Sequence, residues 1–402
     1  MKEREQSQKI SWPHFEKDEI AAVSRVLKSG KVNYWTGSEG RLFEKEFALF
    51  VGCRYAVALA NGTVALETAL RALGIGPGDD VIVPSRTFIA SASCAVMCGA
   101  RPIVADVDSV SQNITVDTLK AVLTSRTRAI IAVHLAGWPC DMKPIMAFAR
   151  QRGLKVIEDC AQALGASYQG RPVGSLGHVA AFSFCQDKIL TTGGEGGMLT
   201  TNDQAIWKKA WTYKDHGKRH GTSSGLKFLP RFQWVHDSFG TNGRMTEMQA
   251  AIGRVQLRKV RRWVRKRRTH AEILTSYFKK IPAFRITMPT IETGHSFYKY
   301  YVFLRPEKLK KGWSRARILR DMNRKGIFCS VGSCGEIYLE KAFRKKNLGP
   351  VRRFPVARKL AETSLMFLIH PTLSDRHLRR VGKVVTEIMS RASAPAEVKN
   401  GK

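Results

Sequence analysis

The chain has 402 residues and carries 67 Lys and Arg against 33 Asp and Glu, a formal net charge of +34. That length can bury a large core and predicts one large and one smaller domain. It holds no run of about 18 apolar residues, which argues against a membrane-spanning helix, and its opening residues, Met1-Lys2-Glu3-Arg4-Glu5-Gln6, lack the apolar stretch of a signal peptide.

Helical patterns are predicted over 18–28 and 42–50, each followed by a glycine, Gly30 and Gly52, where a C-cap belongs. Strands at 55–60, 81–84, 102–107, 129–134, 155–159 and 179–184 then alternate with helical stretches. This alternation predicts an α/β fold, a mainly parallel sheet covered by helices on both faces. The glycine-rich stretch 193–197 predicts a tight turn into a further strand at 198–201. Val255, Leu257, Val260, Trp263 and Val264 recur at roughly helical spacing, so 254–268 reads as an amphipathic helix with a cationic outer face. A smaller α+β domain follows, with strands at 298–303 and near 327–331, a helix near 315–324 and a last helix at 375–390. The predicted division is an N-terminal arm and large domain over 1–265, a smaller domain over 266–390, and a disordered polar tail over 391–402.

Three stretches carry candidate chemistry. In Phe182-Ser183-Phe184-Cys185-Gln186-Asp187-Lys188, an apolar run ends in one isolated amine before a glycine-rich turn. An amine at a strand end, walled by Phe182 and Phe184, can be desolvated and made nucleophilic toward a carbonyl. Taken alone, Lys188 reads first as a solvated charge beside a turn. Upstream, Leu154-Lys155-Val156-Ile157-Glu158-Asp159 is a short strand ending in an acid. Placed at the carboxyl edge of a parallel sheet, Asp159 can hold a heterocyclic nitrogen protonated, as pyridoxal phosphate requires; alone it reads first as a helix N-cap, and only together with Lys188 does it favour a cofactor. The third stretch, Asn61-Gly62-Thr63, turns from a strand into a helix and offers free backbone N–H groups and a hydroxyl to a phosphate, or simply an ordinary cap. Ser183 is a second candidate phosphate donor, and Phe88 after the strand at 81–84 could stack on a flat ring, although an aromatic there is more often core.

In their order along the chain, these segments and Gly240-Thr241-Asn242-Gly243-Arg244-Met245-Thr246-Glu247 resemble the DegT/DnrJ/StrS sugar aminotransferases, fold-type-I pyridoxal phosphate enzymes. The resemblance runs from about Trp12 to the His370-Pro371 region. It implies Lys188 as the Schiff-base lysine and Asp159 as the partner of the ring nitrogen. It further implies that Gln162 faces the phenolic oxygen, that Gly62, Thr63 and Ser183 hold the phosphate, and that Phe88 stacks on the ring. Asn242 would reach the phosphate of a neighbouring subunit, which implies a homodimer with shared active sites. Asn61, Cys185, Gly243 and the extra glycine of Gly193-Gly194-Glu195 depart from the commonest family pattern, leaving the substrate pocket open. Dehydratase relatives carry histidine in place of the lysine, so Lys188 favours amino transfer. The implied reaction takes an amino group from glutamate and delivers it to a keto-sugar on a nucleoside diphosphate, for cell-surface polysaccharide or amino-sugar synthesis. A lyase or dehydratase on the same fold, or a basic regulator, is the alternative.

The eight cysteines form no Cys-x-x-Cys pair, the closest being Cys94/Cys98 and Cys329/Cys334. Without a His/Cys cluster at ligand spacing they read as reduced thiols of a cytoplasmic protein, with no metal site. For the charge excess, a solvated helix face is the first reading, contact with anionic lipid the second, and nucleic acid the third. His134 suits a structural hydrogen bond or a substrate contact, and His216 and His220 receive no role.

Overall fold

A computed structural model describes residues 12–221 and 234–394. Its first sheet has seven strands: β1 (Tyr55–Leu59), β2 (Asp80–Pro84), β3 (Arg101–Ala105), β4 (Thr127–Val133), β5 (Lys155–Asp159), β8 (Val179–Ser183) and β9 (Gly197–Thr201), in the order β1-β9-β8-β5-β4-β2-β3. Pairing is parallel from β8 across to β3, and β9 runs antiparallel between β1 and β8. The strands are buried on both faces, so they read as near-continuous apolar runs such as Val81-Ile82-Val83 and Ala129–Val133.

The helices Lys17–Ser29 and Glu39–Val51 end as expected at Gly30 and Gly52, both left-handed at φ 67 and 74. Both pack on the 32-residue helix Glu247–Phe278, where Lys259 meets Glu16, Asp18 and Glu19, and Arg254 meets Glu39 and Glu46. A small ribbon joins β6 (Ser167–Tyr168), β7 (Arg171–Pro172) and β11 (Thr293–Gly294). The C-terminal part holds an antiparallel sheet of β10 (Phe284–Arg285), β12 (Tyr300–Leu304), β14 (Ser364–Phe367) and β13 (Cys329–Ser330), in the order β10-β12-β14-β13. It has its own apolar core, centred on Leu274, Phe278, Val302, Phe367 and Val385.

Several expectations shift. The boundary at 265/266 falls inside one unbroken helix, because the apolar stripe of Glu247–Phe278 continues from the first core into the second. The last helix is Asp375–Ala392, so residues assigned to a tail still bury Ala392; residues 395–402 lie outside the described residues, as does the 1–8 segment. The strand near 327–331 shrinks to β13. The cationic helix is also less bare than its sequence suggests. Arg254, Lys259 and Lys266 are ion-paired, Arg267 is buried, Arg268 donates to the His295 carbonyl, and Arg258, Arg261, Arg262 and Arg265 face solvent, Arg262 also pairing with Glu16 at 3.8 Å. No described helix is long and apolar enough to cross a membrane.

Candidate active site

The carboxyl ends of β4, β5 and β8 and the turn after β1 open on a cleft of about 740 Å³. In an open α/β sheet this edge is where successive loops part and leave room for a ligand. Gly62, Thr63, Phe88, Asp159, Gln162, Ser183 and Lys188, all singled out from sequence, line it.

Asp159 closes β5 and is 5% exposed. Its Oδ2 accepts from Ser91 Oγ at 2.8 Å and its Oδ1 from the Ala161 amide at 3.1 Å. Ser91 is in turn 2.9 Å from Thr87 Oγ1, so the carboxylate is held from behind while it faces the cleft. Burial pushes its pKa up, against the opposing pull of Ser91, Ala161 and the Lys188 charge. A cationic heteroatom in the cleft would relieve that burial.

Glu158, one residue earlier, points to the other face of the strand. It accepts from the amides of Gly174, Leu176 and Gly177 at 2.7–2.9 Å and pairs with His134 Nε2 at 3.0 Å. His134 Nδ1 accepts from the Cys140 amide at 2.9 Å, and the ring is fully buried outside the cleft. Of the two roles open to His134, the geometry favours the structural one. Cys160 brings a third potential metal ligand close to this pair, but the lone pairs of Glu158 and His134 are already engaged.

The turn after β1 resolves into a capped helix, Gly62–Ala72. Asn61 is its N-cap, accepting from the Val64 amide at 2.9 Å, which leaves the first N–H groups, at Gly62 and Thr63, facing the cleft. A Cβ on Gly62 would lie 2.6 Å from Ser183 Cβ, so only glycine lets this turn meet β8. This donor set, with the helix dipole behind it, fits a phosphate. Phe88 is 64% exposed, which rules out the core alternative and leaves its ring over the cleft. Gln162 is buried and fixed by accepting from the Ala136 amide at 2.8 Å.

Lys188 departs from its expected setting. β8 ends at Ser183, and Lys188 lies five residues on in a bend, its amide donating to the Cys185 carbonyl. Phe184 turns away into the core against Phe43 and Phe47, so only Phe182 of the two expected walls reaches the cleft. The second wall is Tyr298, whose ring centre is 4.9 Å from Lys188 Nζ. Trp12 pins the backbone here, donating from Nε1 to the Lys188 carbonyl at 2.8 Å.

Sequence reasoning missed most of the wall from the C-terminal part: Tyr298, Lys299, Tyr301, Ser333 and Cys334. They sit more than a hundred residues from Lys188 and carry no local signal. Ser91 and Asp187 were nearer to hand, Asp187 as the neighbour of Lys188. Cys185 lies at the rim, 3.7 Å from Glu195 Oε1. Asn242 is exposed and outside this cleft, in a bridge with Asp215. His220 packs on Trp207 and Trp211, and His216 sits at φ 59; both are off the cleft.

Residues 13–386 match the model of the DegT/DnrJ/EryC1/StrS aminotransferase family. The chain belongs to that family. The GDP-perosamine synthase of Caulobacter vibrioides is 42% identical over 302 residues, covering 73% of this chain and 76% of that protein. An aminotransferase structure from Psychrobacter cryohalolentis superposes with a TM-score of 0.92 at 50% identity, over 94% of this chain and 98% of its own. The GDP-4-keto-6-deoxy-D-mannose-3-dehydratase of E. coli, solved with bound hydrated PLP, gives a TM-score of 0.83 at 25% identity, covering 94% and 98%. The fold is therefore that of the fold-type-I PLP enzymes, a large sheet domain with a smaller C-terminal one, and the E. coli dehydratase structure of this fold holds PLP.

Proposed function

We propose that this protein is a pyridoxal-phosphate-dependent aminotransferase that passes an amino group from glutamate to a keto-sugar on a nucleoside diphosphate. The observation that carries the reading is Lys188 and Asp159 facing one cleft with the Gly62–Thr63 helix start between strands, in a chain of this family. When bound, pyridoxal phosphate supplies an electron-accepting ring that stabilises negative charge at the donor's α-carbon. Gly62, Thr63 and Ser183 bind the phosphate, Phe88 covers one ring face and Gln162 faces the phenolic oxygen. Asp159 keeps a proton on the ring nitrogen. Lys188 would hold the cofactor through its amine, and that amine would take and return the donor's α-proton.

The same proposal includes a homodimer in which Asn242 serves the cleft of a second copy. It also includes a cytoplasmic setting and a division into two domains near the middle of Glu247–Phe278. Substrate selection falls to Tyr301, Ser333, Cys334, Cys185 and Glu195, which also line the cleft. Contact of exposed Arg258, Arg261, Arg262 and Arg265 with anionic lipid is a further part, read by salt-sensitive pelleting with acidic vesicles.

The test is spectroscopic. Protein purified with the cofactor should be yellow; glutamate should bleach that band, and a keto-sugar nucleotide from a tested panel should restore it. No cofactor uptake would end the reading, and a band indifferent to glutamate would favour lyase or dehydratase chemistry.

A further inference from the structure

Lys188 is flanked by a charge cluster that neither the cofactor nor the phosphate site explains. Asp187 accepts from the Tyr298 hydroxyl and sits 3.3 Å from Lys299 Nζ. Lys188 and Lys299 lie 4.9 and 4.6 Å from the centre of the same Tyr298 ring. Two ammonium groups thus share one phenol, and one of them, Lys299, also pairs with the carboxylate beside Lys188, all four residues lining the cleft. Asp187 belongs to the turn after β8, whereas Tyr298 and Lys299 lead into β12, so the cluster joins the two parts of the molecule.

We propose that Asp187, clamped by Tyr298 and Lys299, is a positioning residue that sets the charge on Lys188, with Lys299 acting as the opposing half of the balance. Asp187 favours the protonated state of the neighbouring nitrogen, and Lys299 opposes it by its own charge and by occupying the carboxylate. Burial lowers the Lys299 pKa, with Asp187 resisting and Arg267 and Lys188 adding to the fall. Burial also works against Asp187, but Lys188, Tyr298 and Lys299 together bring its pKa below the ordinary value. The other groups facing the cluster are Arg267 from the long helix, His370 after β14 and Asp159 from β5, together with Cys185 and Glu195 on the turn side and Tyr301 on β12. None of these changes in the comparison below.

The inference rests on the proposal that Lys188 carries the cofactor. Its test is the pH midpoint of the visible band of PLP-loaded protein, with Lys188→Ala showing that the band belongs to Lys188. Asp187→Asn should lower the midpoint and Lys299→Met should raise it, each by about one pH unit. Midpoints that stay put, or move with the same sign, overturn the proposal, because loss of packing alone gives no opposed pair. If Asp187→Asn fails to fold, Asp187→Ser and Lys299→Gln carry the same sign test. A wild-type protein that takes up no cofactor defeats the functional reading instead. The proposal is then decided on the unloaded protein by NMR titration of Lys188 bearing labelled methyl groups, where the same two signs are required.

Discussion

The wall of the cleft that carries Asp159 and the wall that carries Lys299 reach the same space by opposite routes. The first is made of strand ends in one parallel sheet, each residue fixed by partners behind it: Ser91 and the Ala161 amide for Asp159, and the Asn61 cap for the Gly62–Thr63 turn. The second is assembled from loops around a different sheet, and its charges hold one another across the gap between turn and β12. A rigid wall suits a part common to every reaction of a cofactor, and a wall made of loops suits the part that differs between substrates. Substitutions on the first wall should therefore damage cofactor binding and turnover. Those on the second should tune proton affinity and substrate choice.

The largest expected effect is from Lys188→Ala, which should remove the visible band and cut amino transfer by about 10⁴-fold or more in single-turnover assays. Asp159→Asn comes next. It should keep the cofactor but slow turnover by about 10²- to 10³-fold, since an amide cannot hold the ring-nitrogen proton by charge. A near-normal rate would break the comparison, because the best-supported residue of the rigid wall would then do nothing. Gly62→Ala should weaken cofactor binding about tenfold or more in equilibrium titration, as the added Cβ meets Ser183.

A separate effect, on stability and not on turnover, concerns pH and the second wall. Near that wall, His370 stacks on Trp12, and His295 lies against Phe297; burial lowers each to about 3. Their folded pKa values lie below the unfolded value of about 6.5, so as pH falls through that value the unfolded chain gains protons that the folded one refuses. Stability should decline from about pH 6.5 toward 3, by up to about 1.4 kcal/mol per pH unit for each histidine, and level off below. Chemical denaturation across that range checks it. His295→Gln should flatten the slope, and an unchanged slope would separate the second wall from acid sensitivity.

Much of the site was legible because its first wall is local in sequence. Asn61-Gly62-Thr63 and Glu158-Asp159 each join a strand to a turn within a few residues, and the alternation of the sheet then fixes where such turns emerge. The family resemblance added roles that spacing could not. Lys188 was legible as an amine but misplaced, since the chain leaves β8 at Ser183 and Phe184 turns back into the core.

By itself the sequence determined the class of fold, the parallel sheet and the residues that end its strands, because periodicity and capping act over a few residues. It could not decide which way neighbours on a strand would face in use: Glu158 locks a turn, while Asp159 faces the cleft. Nor could it bring Tyr298 and Lys299 beside Asp187, or show that much of the basic helix is occupied by Glu16, Asp18, Glu19, Glu39 and Glu46. Those pairings cross more than a hundred residues of chain. They exist only where tertiary packing brings distant elements together, and charge is decided by what burial places next to it.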